Sequence, residues 1–168
     1  MAVGLKEPGS LLPIAGVRLA TSAAGIRYQG RDDLLLISLS EGSQVSAVFT
    51  QNKCCAAPVT LAKAHMSASA TRGLLINSGN ANAVTGELGM QNAVQSCADA
   101  AAVLGVSTEQ ILPFSTGVIG EQLNMQAMAA GVVDAKLKLE EDNWLLAAKA
   151  IMTTDTLPKA VSLSLIHI

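Results

Sequence analysis

Apolar residues in this chain fall into short runs divided by turn chemistry, and the period of the runs changes along the sequence. Residues 34–39, LLLISL, form an unbroken apolar run that predicts a buried strand. Glu41-Gly42-Ser43 then supplies a turn, and residues 45–50, VSAVFT, read as the returning arm of a β-hairpin. Residues 74–77 predict another short strand. The Asn- and Gly-rich stretch SGNANAVTG after it predicts backbone in tight or left-handed turns. From Met90 to Leu104 the period lengthens to that of a helix. Val94, Cys97, Ala98, Ala101 and Leu104 fall on one face, and Gly105 lies just past the end.

Ser107 and Gln110 have the spacing of a capping box around one short turn. ILPFSTGVIG, residues 111–120, then predicts a strand that runs into Ser115-Thr116-Gly117. Asn124 is placed to cap a second helix with Met125, Met128, Ala129, Val132 and Val133 on one face, weakened by Gly131. A third helix is predicted over residues 143–151 with Trp144, Leu145 and Ala148 inward. The Thr153-Thr154-Asp155-Thr156 stretch ends it and Pro158 bars its resumption.

Hairpin strands followed by strand–helix alternation predict an α/β fold, with helices packed on a mixed β-sheet. At 168 residues the chain has room for one domain or part of a larger one, and it shows no internal repeat or linker. After Lys159 it reads AVSLSLIHI, a strand-like stretch with no polar finish. Residues 160–168 are therefore expected to be a truncation or a junction.

Half the residues are hydrophobic, but only one Trp, one Tyr and two Phe are present, so the core must be built from Ala, Leu, Val, Ile and Met. Few aromatics and a formal charge of −2 argue against a nucleic-acid partner, which would need stacking platforms or a basic face. Cys54, Cys55 and Cys97 are odd in number, two are adjacent, and no Cys-x-x-Cys occurs. This pattern predicts reduced thiols and a cytoplasmic location. His65 and His167 lack ligand spacing, so no metal is expected. LLPIAGV near the start is short, contains Pro13 and follows Glu7 and Pro8, which suits no secretory signal. No apolar run reaches the roughly 18 residues a membrane helix needs.

Four groups are candidates for chemistry. In Ser115-Thr116-Gly117, a hydroxyl beside a glycine N–H makes a donor pair suited to a developing oxyanion; a plain strand-to-turn transition is the simpler reading. The amides of residues 77–82 are able to bind a polar ligand or to satisfy their own backbone. The hydroxyls of residues 153–156 are able to contact a small ligand or to close a helix. The thiols lack a His partner and read as structural. The set offers donors without a convincing nucleophile or base.

Longer motifs carry a resemblance. STGVIGE at 115–121, NSGNANA at 77–83, AVFTQN at 47–52 with AAPV at 56–59, and IMTTDTLPK at 151–159 resemble the ornithine acetyltransferase family of arginine biosynthesis, the bifunctional glutamate N-acetyltransferases. The resemblance spans residues 10–159 in order. It implies a layered α/β sandwich, present here incompletely, with residues 1–159 as the α-chain region. It further implies self-cleavage before a threonine that becomes the nucleophile. Acetyl then passes from N-acetylornithine to glutamate, with acetyl-CoA as a possible co-substrate and no other cofactor. By the same resemblance Thr116 and Gly117 form the oxyanion hole, Thr153 contacts substrate, and a β chain completes an α/β hetero-oligomer. The family's cleavage segment is not found after Lys159, so this chain by itself is expected to be silent. The alternatives are a non-catalytic small-anion-binding module and a structural subunit that needs a partner chain.

Overall fold

The computed structural model describes residue 4 and residues 6–164. The last four residues of the tail, 165–168, and part of the opening segment lie outside the described residues. Residues 160–164 carry no regular structure. Four strands form one mixed sheet: β1 (Val17–Ser22), β2 (Leu34–Leu39), β3 (Gly73–Asn80) and β4 (Ile111–Val118). They lie in sequence order, β1-β2-β3-β4. The first two pairings are antiparallel and β3 runs parallel to β4. Four helices join them: α1 (Ala57–Ala68), α2 (Gly86–Leu104), α3 (Met125–Lys136) and α4 (Trp144–Ala150). The predicted α/β class and mixed sheet are what the chain adopts.

Alternation along the strands divides the sheet into two apolar faces. Ala20, Leu34, Leu36, Leu75 and Ile111 pack with Leu61 of α1, with Ala93, Cys97, Ala100 and Ala101 of α2, and with Met128, Val132 and Ala135 of α3. The opposite face carries Leu19, Leu35, Val17, Ile37 and Ile76 under Trp144 and Ala147 of α4. Small helix residues let the layers approach closely. Gly131 shows this best: a Cβ there would lie 2.5 Å from Ala24 Cβ and 3.1 Å from a methyl of Leu34. Its helix-propensity cost, about 1 kcal/mol against Ala, is offset by that contact.

The hairpin expectation is corrected. Residues 45–50 form no strand, because both edges of β2 are already taken, one by β1 and the other by β3. Residues 47–50 instead line a cavity, described below. β1 and α1 were not anticipated. β1 is a mixed stretch, VRLATS, whose burial depends on α3 and α4 covering it. α1 did carry a signal, Pro58 in the first turn and Leu61, Ala62 and His65 at helical spacing. Some inward assignments also change. Ala147 and Ala150, rather than Leu145 and Ala148, are buried on α4, and Val94 of α2 and Val133 of α3 face outward. The capping box at Ser107 and Gln110 and the Asn124 cap form as predicted.

Candidate functional site

The site is built where β3 and β4 end together. Asn77 pairs with Ser115, Ser78 with Thr116 and Gly79 with Gly117, and the register shifts at Gly79/Asn80. Paired residues in a ladder share a face. Ser115 and Asn77 therefore meet on one side, where the Ser115 hydroxyl donates to Asn77 Oδ1 at 2.6 Å. Ser78 and Thr116 share the other side, that of α4. There the buried Ser78 hydroxyl donates to the Ala150 carbonyl at 2.7 Å.

Glycine is required where these strand ends meet. Gly117 has φ +138°, and a Cβ on it would lie 2.2 Å from the Gly79 carbonyl carbon. Gly79 has φ +100°, and its Cβ would meet Arg27 Cβ at 2.8 Å. Backbone therefore packs directly on backbone, and any side chain would drive the strand ends apart. Gly117 is exposed and Thr116 half-buried. Among the described residues the Thr116 hydroxyl meets no hydrogen-bond partner, whereas those of Ser115 and Ser78 are both engaged.

The neighbouring amides are committed to backbone. Asn77 Nδ2 donates to the Asn80 carbonyl at 2.8 Å. Asn80 Nδ2 reaches the carbonyls of Glu121 and Gln122, and its Oδ1 accepts from the Asn82 amide. Asn82 Nδ2 donates to Gly89 and its Oδ1 accepts from the Thr85 hydroxyl. These bonds hold the turn in which Asn82 and Val84 take left-handed φ of 44° and 57°. Of the two readings of residues 77–82, the structural one is the arrangement found.

Thr153 lies three residues beyond Ala150, on the stretch that leaves α4, and is half-buried. The Ser78–Ala150 bond draws that stretch to the sheet end that carries Thr116. Sequence reasoning missed a further element there, the loop before β2. Its Arg31 donates to the Met152 carbonyl and stacks over Tyr28, 4.3 Å from the ring centroid.

An apolar cavity of about 280 Å³ lies to one side, between residues 47–50, the start of α1 and residues 112–115. It reaches Ser115 and not Thr116 or Gly117. Of the residues 47–50 that line it, Phe49 is half-buried and Val48 stays exposed. No cluster of three His, Cys, Asp or Glu able to hold a metal occurs among the described residues. No helix among them is long and apolar enough to cross a membrane. Cys97 is buried, and desolvation pushes its thiol up to about 12.

A four-stranded mixed sheet covered by helices on both faces, with a glycine pair where β3 and β4 end, defines an α/β protein. The family model described as the ArgJ family matches residues 18–167, and the chain belongs to that family. It is 55% identical over 149 residues to the arginine biosynthesis bifunctional protein ArgJ of Methylococcus capsulatus, a match covering 89% of this chain and 36% of that protein. Against the protein of the same description from Colwellia psychrerythraea, identity is 49% over 95% of this chain and 41% of the relative. The chain thus spans about two fifths of the length of such relatives. Two solved structures share the fold. Ornithine acetyltransferase of Mycobacterium tuberculosis, complexed with ornithine, superposes with TM-score 0.80 at 34% identity, over 87% of this chain and 79% of that one. Arginine biosynthesis bifunctional protein ArgJ of Bacillus halodurans gives 0.79 at 29%, over 89% and 78%.

Proposed function

We propose that this chain is the α-chain region of an acetyltransferase of arginine biosynthesis, which moves acetyl from N-acetylornithine to glutamate, with acetyl-CoA as a possible second donor. The observation that carries the reading is the close Gly79–Gly117 pairing with the Thr116 hydroxyl uncommitted beside the Gly117 backbone. Thr116 and Gly117 are the oxyanion donors, and Thr153 contacts substrate. The attacking threonine is supplied by polypeptide outside these 168 residues. Its hydroxyl adds to the acetyl carbonyl carbon and loses its proton to a base, and the carbonyl electrons move onto oxygen. Collapse of that oxyanion expels ornithine as the free amine, which takes up a proton, and leaves an acetyl ester on the threonine. The glutamate amine then repeats addition and collapse, releasing N-acetylglutamate and the threonine hydroxyl. Neutral donors suit a charge that exists only in the intermediates, since they cost no paired counter-charge in the ground state.

The relatives' greater length supports a completing β chain and an α/β hetero-oligomer. So does outward-facing apolar surface at Val48 and Ile119. The commitment of Asn77, Asn80 and Asn82 to backbone weighs against a small-anion-binding module.

The test is reconstitution. The chain alone is expected to remain intact by mass spectrometry and to exchange no acetyl between N-acetylornithine and labelled glutamate. Coexpression with the polypeptide that completes a family-length protein restores exchange. A spontaneous break near Thr153, or exchange by the chain alone, would overturn the external nucleophile. Failure of the completed protein to exchange acetyl would overturn the reaction itself.

A further inference from the structure

Three consecutive residues ahead of β2 each fasten a different part of the chain. Asp33 is fully buried, and its carboxylate accepts four backbone amides. Ala24 and Gly25 donate to Oδ1 at 2.9 and 3.2 Å, and Ile26 and Arg27 donate to Oδ2 at 2.7 and 3.3 Å. This draws residues 24–27 into a tight loop, and Arg27 and Tyr28 come to rest against Gly79. Asp32 accepts from the Thr21 hydroxyl at 2.5 Å and ties the same loop to β1. Arg31, next in line, reaches across 121 residues of sequence to the Met152 carbonyl.

The Arg31 contact has no carboxylate in it. Among the described residues the ion pairs are Arg27–Glu121, Lys138–Asp134 and Lys159–Asp155, and Arg31 belongs to none of them. Its guanidinium lies over the Tyr28 ring while one nitrogen is spent on a carbonyl just past the end of α4. The carbonyls at a helix end have no intrahelical donor, so a rigid external donor fixes where the chain goes next. Met152 immediately precedes Thr153. The stretch is thus held at two carbonyls, Ala150 by the Ser78 hydroxyl and Met152 by Arg31.

We propose that Arg31 is a positioning residue: stacked on Tyr28 and seated by the Asp33 loop, it holds the Met152 carbonyl and thereby sets Thr153 against the sheet end that carries Thr116. The proposal rests on the reading of Thr153 and Thr116 given above. An arginine is suited to the task because its planar group stacks and donates at once. A lysine in its place would donate as a point charge without the stacking geometry.

The experiment compares wild type, Arg31→Ala, Arg31→Lys and Tyr28→Leu by amide hydrogen exchange on this chain. The same variants are then assayed in the protein completed by coexpression. Arg31→Ala is expected to speed exchange at Ile151 and Met152, whose amides donate to the Ala147 and Lys149 carbonyls, by about tenfold or more, the loss of a charge-assisted hydrogen bond. Exchange in β3 and α2 should stay at the wild-type level. Arg31→Lys and Tyr28→Leu should fall between, and added methylguanidinium should restore protection in Arg31→Ala. In the completed protein the KM for N-acetylornithine should rise more than kcat falls. Unchanged exchange at Ile151 and Met152 would overturn the proposal. So would a loss of protection spread evenly over the sheet that methylguanidinium fails to restore, or an unaltered KM beside a raised KM in Thr153→Ala. An unaltered KM in Thr153→Ala itself would instead remove Thr153 from substrate contact, and the exchange data would still decide whether Arg31 is the anchor.

Discussion

Gly117 packs so closely on Gly79 that a Cβ at position 117 would stand 2.2 Å from the carbonyl carbon of its partner, with φ +138° besides. Two kinds of glycine requirement can be separated in this fold. Gly105, past the end of α2, has φ +70° and open space where a Cβ would go. Gly117→Ala should destabilise by about 3 kcal/mol or more, as strain adds to a backbone clash that no side-chain rotation relieves. Gly105→Ala should cost only about 1–2 kcal/mol, the left-handed penalty alone. Urea unfolding of the two variants checks this, and equal losses would mean that the strand ends separate easily.

Asp33 gives a second expectation. Four amides converge on one buried carboxylate, so Asp33→Ala leaves them without an acceptor. The cost should be about 3 kcal/mol or more. Asp33→Asn retains one acceptor oxygen and should lose less. Exchange should rise first at residues 24–27, ahead of global unfolding. Loss confined to the global transition would show that the loop does not depend on the carboxylate.

Thr116→Ala in the completed protein should raise the barrier to acetyl transfer by about 2.7–4 kcal/mol, roughly 10²–10³ in kcat, with little change in KM. The hydroxyl has no structural partner among the described residues, so stability should move by less than about 0.5 kcal/mol. Steady-state kinetics alongside thermal unfolding distinguish the two effects. Unchanged turnover would take Thr116 out of the donor pair.

The three thiols should separate by environment. Cys54 is exposed, Cys55 half-buried with its thiol donating to the Asn52 carbonyl, and Cys97 buried. A disulfide-exchange reagent at neutral pH should label Cys54 fast, Cys55 more slowly and Cys97 only on unfolding. Burial lifts the Cys97 thiol from an ordinary 9.0 to about 12. Between those values the unfolded chain has released the proton and the folded chain has not. Stability should therefore be fully present below pH 9 and should decline as pH rises toward 12. A pH series of unfolding midpoints on wild type and Cys97→Ala checks the sign. An identical alkaline decline in the two would assign it elsewhere.

The parts of the fold that were legible in the sequence are those fixed by local pattern. The run at 34–39, the helical period after Met90, the Asn124 cap and the Ser107–Gln110 box each state their own conformation. Residues 45–50 show where pattern fails. Their alternation suits a strand, but a strand needs a free edge, and β2 has none. β1 failed in the opposite sense, because VRLATS looks mixed until helices cover it from both faces. The pairing of Thr116 with Ser78 was likewise beyond local reading, since the two stand 38 positions apart and only the parallel ladder brings them side by side.

The sequence by itself determined which segments are strands and helices over most of the chain, and through its long motifs the family to which it belongs, because local periodicity and residue type suffice for both. Only the tertiary structure decided that Gly79 and Gly117 touch, that Asp33 gathers four amides and that Arg31 reaches Met152. Those contacts join positions far apart in the chain, and nothing in the local pattern on either side encodes the partner. They form only once the buried core has brought the strands and helices together.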